Sequence, residues 1–335
     1  MSALAFDVPE EFAAMPDLPE VPTEPAGPCA VCGSEVFSVA ARGMDYELLS
    51  CRNVWTFRRC EGCGHLQLDP RPRAEALPLI YPPHYYSYDM ARTVGRTALA
   101  GKAVLDRLKF RGILSSLSRA PTSYLDIGCG DAKYLRAMHA LGVPKAAIYG
   151  LELDRRAVDH ARGQGFQVFA ERVEESVSLP ERSIDLATMF HVLEHVSDPR
   201  AVLRRIAGWL RPDGALAIET PSTDSVDARF FGHEYWGGYH TPRHWHLFNE
   251  RGLRRLLEAS GFRVAAVRYQ TGHSFWLYSL HHALRYNRRL PMPRLARLFH
   301  PLKSLPMLAL ATGLDVVRGR MGFRTSAMLM VARLA

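Results

Sequence analysis

Apolar residues in the middle of the chain follow two alternating spacings. Short apolar runs predict strands at about 123–127, 146–152, 166–169, 184–190 and 214–220. Between them, apolar residues recur every three to four positions, which predicts helices at about 131–141, 154–163, 198–210 and 249–260. Such alternation predicts an α/β fold in which a parallel sheet is covered by helices on both faces. Residues 263–269 and 326–333 have the pattern of two further strands.

The turn after the first of these strands has the composition of a nucleotide-binding loop. The segment Tyr124–Tyr134 reads YLDIGCGDAKY, in which Gly128 and Gly130 lack a Cβ and let the backbone bend sharply and approach a ligand. The next strand ends at Glu152, where a carboxylate can accept hydrogen bonds from the two hydroxyls of a ribose. We therefore expect a nucleoside to bind beyond the carboxyl ends of the strands.

Four motifs in sequence order, LDIGCGDA, YGLELD, SIDLATMFHVLEHVSDP and LRPDGALAIETPS, resemble those of the class I S-adenosylmethionine-dependent methyltransferases. The resemblance covers roughly residues 121–270. A dehydrogenase loop more often has the pattern Gly-x-Gly-x-x-Gly, whereas Ala132 and its neighbours supply no third glycine here. The resemblance implies a Rossmann-like sheet of seven strands, the last of them antiparallel, and S-adenosylmethionine as cofactor.

The resemblance also implies roles for individual residues. Asp126 would orient the glycine loop or the amino group of the methionine moiety, Glu152 would hold both ribose hydroxyls, and Leu153 would pack on adenine. Val173 and Glu174 align with the loop that contacts the adenine edge, although Val173 stands where the family usually has Asp.

Tyrosines after the cysteine-rich segment are a second expected part of the cofactor site. In similar zinc-ribbon methyltransferases of sugar and secondary metabolism, aromatic residues at this place lie over the cofactor, which implies Tyr85 and Tyr86. The alternative is an aromatic plug that packs the ribbon onto the core. The predicted cofactor-binding residues are Tyr85, Tyr86, Asp126, Gly128, Cys129, Gly130, Glu152, Leu153, Val173, Glu174 and Phe190.

Histidines are the candidate general bases. Methyl transfer depends on in-line alignment of the acceptor, and one base often suffices. His244 and His246 lie in an insert rich in Gly, Trp, Tyr and His after the fifth strand, and we predict one of them as the base, with His191 as a further candidate. Glu194 and His195 either bind a divalent metal or pack the helix after the fourth strand.

Two cysteine pairs precede the predicted sheet. Cys29-x2-Cys32 and Cys60-x2-Cys63 have the spacing of a zinc ribbon, in which each pair presents two thiolates to one tetrahedral ion. A ribbon of this length has too small a core to fold unaided, so we expect the zinc to be structural. Disulfides are the alternative, and a reducing compartment disfavours them.

Length and composition set the domain organisation. The chain has 335 residues, of which 47% are hydrophobic, and no uninterrupted apolar run of the length that spans a bilayer. Residues 1–28 carry six prolines and six acids without a Lys or Arg, unlike a signal or transit peptide, so we expect a cytoplasmic location. We predict a disordered leader (1–25), a ribbon with its aromatic linker (26–90), a cofactor-binding core (91–270, with a rim insert at 222–248), a basic insertion (271–325) and a final core strand (326–335).

The basic insertion accounts for the charge of the chain. Residues 285–324 contain eight Arg and one Lys against Asp315, a local net charge of +8 that equals the net charge of the whole chain. Leucines are interleaved with these cations in an amphipathic pattern. The segment is interpreted as a cap over the substrate pocket, as an element peripheral to the inner face of the membrane, or as an RNA-binding face. Since the net positive charge is confined to it and the rest of the chain is balanced, we do not expect nucleic acid as the partner.

Together these patterns predict a methyltransferase that acts on a small molecule. Expected acceptors are a sugar, a glycan precursor, a lipid-linked compound or a secondary metabolite, methylated on oxygen or carbon. Two alternatives stay open: an RNA methyltransferase that uses the ribbon for recognition, and a cofactor-binding scaffold without turnover. The acceptor, the pathway and the oligomeric state do not follow from the sequence.

Overall fold

A computed structural model describes residues 6–82, 96–175, 179–287, 291–301 and 303–335. The strands in these ranges are β1 Thr23–Glu24, β2 Phe37–Gly43, β3 Trp55–Cys60, β4 Leu66–Leu68, β5 Arg71–Pro72, β6 Tyr124–Ile127, β7 Ile148–Leu151, β8 Gln167–Phe169, β9 Ile184–Phe190, β10 Leu210–Pro221, β11 His246–Leu247, β12 Phe262–Gln270 and β13 Ala327–Leu334. The α-helices are α1 Glu10–Ala13, α2 Leu77–Ile80, α3 Arg96–Leu114, α4 Lys133–Ala140, α5 Arg155–Gly163, α6 Pro199–Trp209, α7 Val226–Phe231, α8 Glu250–Glu258, α9 His273–Arg285, α10 Pro293–Ala296 and α11 Leu305–Arg320.

The largest sheet has seven strands in the order β12-β13-β10-β9-β6-β7-β8. Strands β8, β7, β6, β9 and β10 pair in parallel. The Ser222 N–H donates to the Ser326 carbonyl (2.9 Å) and the Ala335 N–H to the Gly261 carbonyl (3.0 Å), so β13 begins where β10 ends and ends where β12 begins. This is antiparallel placement, and the predicted α/β fold with a Rossmann-like seven-stranded sheet is confirmed.

Burial explains why the parallel strands read as near-continuous apolar runs. All four residues of β6 are buried, as are six of the seven residues of β9, because helices cover a parallel sheet on both faces. The adjoining helices begin at acidic caps: the Asp154 carboxylate accepts the Arg156 N–H at the start of α5, and Asp198 accepts two N–H groups at the start of α6. The helices predicted at 154–163 and 198–210 agree with α5 and α6 to within one residue at each end, whereas α3, α9 and α11 were not predicted.

The chain divides into two compact units. The first contains residues 1–85, 221–250 and 269–327, and the second contains 86–220, 251–268 and 328–335. The rim insert, which the sequence analysis placed with the core, therefore lies in the same unit as the ribbon and the basic insertion. Within that unit β11 pairs antiparallel with β4 and completes a four-stranded sheet in the order β11-β4-β3-β2.

Residues 6–25, within the segment predicted as a disordered leader, contact other parts of their unit. Phe12 on α1 is buried, and its ring centroid lies 5.9 Å from that of Tyr46 and 5.8 Å from that of Tyr286. Glu11 forms an ion pair with Arg285, and β1 pairs with β5. A proline-rich, acidic composition disfavours an autonomous core, but a single aromatic residue can dock on a cluster formed by distant residues.

None of the helices among the described residues is long and apolar enough to cross a membrane.

Candidate functional site

The glycine loop follows β6 as predicted. Gly128 and Gly130 have positive φ angles of 77° and 50°, a region that favours residues without a Cβ. A Cβ on Gly128 would lie 2.5 Å from the Val192 side chain, while no described atom lies within 4 Å of the corresponding position on Gly130. The N–H groups of Gly128 and Cys129 both donate to the Leu151 carbonyl at the end of β7. The loop is thus held against β7 and leaves space beside Gly130.

Cys129 has a packing role. Its side chain is buried, and its Sγ lies 2.7 Å from where a Cβ on Gly150 would be, so the thiol fills the space that the glycine in β7 leaves. Burial raises the pKa of this thiol, so it stays neutral. Because the Cys129 side chain is buried, a ligand could contact only the backbone of this residue.

Asp126 at the end of β6 carries a buried oxygen that lacks a hydrogen-bond partner among the described residues. The Thr188 hydroxyl donates to Asp126 Oδ1 (2.7 Å) and lies 2.6 Å from the Tyr124 hydroxyl, whereas Oδ2 is unsatisfied. Burial, aided by the charge of Glu152, raises the pKa of Asp126 to about 7. An unsatisfied buried carboxylate oxygen fits a cationic ligand group such as the amino group of a methionine moiety.

Glu152 organises the same loop from the next strand. Its Oε2 accepts the Gly130 N–H (2.8 Å), and its Oε1 accepts the N–H groups of Leu153 (2.6 Å) and Asp154 (3.0 Å). The Leu153 side chain is 56% exposed and presents an apolar surface beside this carboxylate. The predicted contacts of Glu152 with ribose and of Leu153 with adenine stay predictions, and the positions of both side chains fit them.

The predicted adenine-edge loop is occupied by internal contacts. Val173 is buried, and the Glu174 carboxylate accepts hydrogen bonds from the backbone and hydroxyl of Ser197 and from Arg172. Although burial raises it, these hydrogen bonds lower the pKa of Glu174. The carboxylate therefore staples this loop to the residues before α6, and an adenine contact would come from the backbone.

Phe190 is the last residue of β9, and its side chain packs among other aromatic rings. Its ring packs edge to face on Tyr134 (5.4 Å between centroids) and Phe110 (6.0 Å), and the Lys109 ammonium lies 4.6 Å from its centroid. The predicted lid residues Tyr85 and Tyr86 lie outside the described residues.

A charged cluster next to Phe190 was missed by the sequence analysis. Glu219 on β10 is buried and pairs with Lys109 of α3 and with His191, whose Nδ1 lies 3.1 Å from Glu194 Oε1. Burial opposes the charge on Glu219, but Lys109 outweighs it and holds the pKa of Glu219 well below its usual range. For His191, burial lowers the pKa, but hydrogen bonds to Glu194 and Glu219 raise it to about 9.

A second group of charges lies on the same helix. Asp106 of α3 accepts the Tyr134 hydroxyl (2.9 Å) and pairs with Lys133 and, at 3.7 Å, with Lys102. Lys102, Asp106 and Lys109 follow one another at helical spacing, which is the sequence signal that could have revealed both α3 and its inward charged face.

Two of the three predicted catalytic histidines lie in the first unit and differ in their partners. His244 Nδ1 lies 2.8 Å from the Gly238 carbonyl, which can only accept, so Nδ1 carries a proton. His246 Nδ1 lies 3.1 Å from His65 Nε2, and the two rings are buried and stacked. The Nδ1 atom of His246 is thus hydrogen-bonded to another histidine.

The four cysteines of the predicted ribbon converge. Their sulfurs all lie within 4.8 Å of one another, with Cys29 and Cys63 Sγ 3.6 Å apart and Cys32 and Cys60 Sγ 3.4 Å apart. Each pair closes the same turn, since the Gly33 N–H donates to the Cys29 carbonyl and the Gly64 N–H to the Cys60 carbonyl, both at 2.8 Å. A thiolate set of this shape fits a tetrahedral ion with metal–sulfur bonds of about 2.3 Å.

The sheet order and the glycine loop define a Rossmann-like protein of the class I methyltransferase type. A family model described as a methyltransferase domain matches residues 89–267, just over half of the chain, and the chain belongs to that family. The resemblance to S-adenosylmethionine-dependent methyltransferases inferred from the motifs is thereby confirmed. Three features of the site fit that cofactor: the Asp126 oxygen without a hydrogen-bond partner, the space beside Gly130 and the Glu152 carboxylate.

Curated relatives match the central part of the chain. The ubiquinone biosynthesis O-methyltransferase of Xanthomonas euvesicatoria is 33% identical over 119 residues, which cover 35% of this chain and 50% of the relative. The protein of the same name from Aeromonas salmonicida is 34% identical over 102 residues, 29% of this chain and 42% of the relative. The chain thus spans about half the length, or less, of these relatives.

Solved structures resemble the chain more distantly. The 1,6-didemethyltoxoflavin-N1-methyltransferase of Burkholderia thailandensis, crystallised with 1,6-didemethyltoxoflavin and S-adenosylhomocysteine, is 16% identical, with a TM-score of 0.49 over 88% of this chain and 100% of that one. At this level the likeness adds no argument about function.

Proposed function

We propose that the protein transfers a methyl group from S-adenosylmethionine to a small-molecule acceptor. The observation that carries the proposal is the arrangement of Asp126, the open glycine loop and Glu152 at the carboxyl ends of β6 and β7. When bound, S-adenosylmethionine supplies an electrophilic methyl group. Asp126 would hold its amino group, Glu152 its ribose, and Leu153 its adenine ring.

Oxygen is the acceptor atom that we favour. The curated relatives are named O-methyltransferases, and a hydroxyl acceptor needs a base to take its proton as the new bond forms. Screening hydroxylated aromatic compounds, sugar nucleotides and polyprenyl-linked phenols for S-adenosylhomocysteine release tests this proposal. Failure of the wild-type chain to bind S-adenosylmethionine in a calorimeter would refute methyl transfer altogether.

His244 is the base that the geometry favours. Because Nδ1–H donates to the Gly238 carbonyl, a neutral His244 would carry its lone pair on Nε2, the nitrogen that would accept the acceptor's proton. His246 is less suited to accept a proton than His244 because its Nδ1 is hydrogen-bonded to His65. His191 is also less suited, because it lies between two carboxylates that keep it protonated at neutral pH. We therefore propose His244 as the general base, with the other two histidines positioning their neighbours.

Replacing His244 with glutamine tests this role. Glutamine keeps a polar group of similar length but cannot act as a base, so we expect kcat on the acceptor found by the screen to fall roughly 10²-fold or more. The affinity for S-adenosylhomocysteine, measured by calorimetry, should stay unchanged. The control is His233→Gln, an exposed histidine of the same unit, which should retain full activity. An active His244→Gln enzyme would exclude the base role.

We also propose that Cys29, Cys32, Cys60 and Cys63 hold a structural zinc ion. The convergent sulfurs support it, as do the two matching turns, and a four-thiolate set leaves no coordination position for a substrate. The ion would fix the end of β3 at Cys60 and the two turns that carry the cysteines.

Native mass spectrometry of protein purified without chelator should show one zinc per chain. Cys60→Ser should lose most of this zinc and lower the unfolding temperature of the unit, because the metal's binding energy is folding energy. Cys51→Ser is the matched control, since Cys51 is buried in the same unit but lies outside the metal cluster. A metal-free wild-type protein with unchanged stability after chelation would refute the site.

A further inference from the structure

Helix α11 buries one side and leaves a stripe of apolar side chains exposed on another. Ala311 and Asp315 are buried on the inner side, where the Asp315 carboxylate accepts the Gly272 N–H. Leu310, Leu314 and Val317 form a stripe at helical spacing on another side, and each is 55–57% exposed. Ordinary amphipathicity explains the buried face but leaves the exposed stripe unexplained.

Exposed apolar side chains are concentrated in the segment of the chain that contains this helix. Of the twenty large apolar side chains that are exposed among the described residues, nine lie within 292–323. They are Met292, Leu295, Leu298, Leu305, Leu310, Leu314, Val317, Met321 and Phe323. Single exposed leucines are normal on protein surfaces, whereas a cluster of this kind marks a contact surface. We call the described residues of this segment, 291–301 and 303–324, the apolar–basic surface.

The charges of this surface have one sign. Arg294, Arg297, Lys303 and Arg320 are exposed. Arg324 is also exposed, but it pairs with Asp224 and Glu250 at 3.3 Å and adds less to the positive charge. The one acidic residue of the segment, Asp315, is buried and accepts a hydrogen bond from Arg318 (3.1 Å). Exposed leucines among exposed cations, with no exposed carboxylate in the segment, are complementary to a surface that is both apolar and anionic.

We propose that the apolar–basic surface docks on an anionic lipid bilayer. The stripe on α11 would enter the interface between headgroups and acyl chains, and the arginines and Lys303 would contact lipid phosphates. A nucleic acid would use the cations but not the leucines, and a second copy of this chain would bring the same positive charge to the contact. A bilayer uses both features. The inference does not depend on the chemistry proposed above.

Vesicle sedimentation of the full-length protein tests the proposal. We expect binding to equimolar phosphatidylcholine and phosphatidylglycerol, weaker binding as salt is raised, and little binding to phosphatidylcholine alone. Leu310→Gln/Leu314→Gln should lower the partition coefficient about tenfold or more through lost apolar insertion. Lys303→Glu/Arg320→Glu should lower it by at least a similar factor and remove the preference for phosphatidylglycerol.

Matched substitutions elsewhere separate this surface from general stickiness. Leu141→Gln replaces another exposed leucine (60% exposed) and Arg204→Glu another exposed arginine, and both should bind vesicles like the wild type. Thermal melts confirm that all variants are folded. Absence of vesicle binding by the wild type, or equal losses in the controls, would overturn the proposal. So would a wild-type dimer that the leucine substitutions dissociate, or binding to tRNA without binding to vesicles.

Discussion

Glu152→Ala is expected to lower the affinity for S-adenosylmethionine by a factor on the order of 10³. The reason is that two ribose hydroxyls lose their acceptor, and each hydrogen bond to a charged group contributes about 1.5–3 kcal/mol. The same substitution removes the acceptor of the Gly130, Leu153 and Asp154 N–H groups, so the loop keeps its backbone hydrogen bonds to Leu151 but loses the one that holds Gly130. Calorimetric titration with S-adenosylmethionine and S-adenosylhomocysteine measures the effect.

Two further variants make this result specific. Glu152→Gln keeps one acceptor oxygen without the charge and should lie between the wild type and Glu152→Ala. Asp159→Ala removes an exposed carboxylate from the helix that follows Glu152 and should bind the cofactor normally. If Glu152→Ala bound S-adenosylmethionine as the wild type does, the nucleoside site would have to lie elsewhere.

Arg243→Ala is expected to cost about 3–5 kcal/mol of unfolding free energy, because it leaves a buried charge without its partner. Arg243 and Asp45 are both fully buried and joined by two parallel contacts of 3.0 and 2.8 Å. The guanidinium also donates to the Ile80 and Thr241 carbonyls. The loss therefore leaves a buried carboxylate without its counter-charge and removes a donor from two carbonyls inside the first unit. Urea unfolding of the full chain measures it.

The control is Arg52→Ala, which breaks an exposed ion pair with Glu20 and should change stability by no more than about 1 kcal/mol.

Acid sensitivity of the folded state provides a second readout. Burial raises the pKa of Asp45, but Arg243 outweighs it and lowers that pKa to about 2. The folded state thus gains stability from this carboxylate above the ordinary carboxyl pKa, and loses it as the pH falls toward 2. Arg243→Ala should weaken this dependence of stability on pH. A urea unfolding midpoint equal to that of the wild type would contradict the stabilising role of Arg243.

Local patterns predicted the cofactor site because its parts are close in sequence. Asp126, the glycine loop and Glu152 belong to one strand–helix–strand unit, whose geometry is set by short-range rules. Lys109 and Glu219 meet beside Phe190 only in the folded chain, and no local pattern links residues 110 positions apart. The same holds for Arg243 and Asp45, which are separated by 198 residues. A periodic pattern indicates that a side chain is buried without indicating what buries it.

The sequence by itself determined the α/β class, the nucleoside loop and the two cysteine pairs, because each depends on spacing within a short segment. Only the tertiary structure decided that β11 joins the sheet of the ribbon, that Phe12 is buried, and that one apolar face of α11 is left exposed. These features depend on which distant segments meet. The physical reason is that apolar spacing fixes the face a segment buries, whereas the partner that covers this face is chosen by the packing of the whole chain.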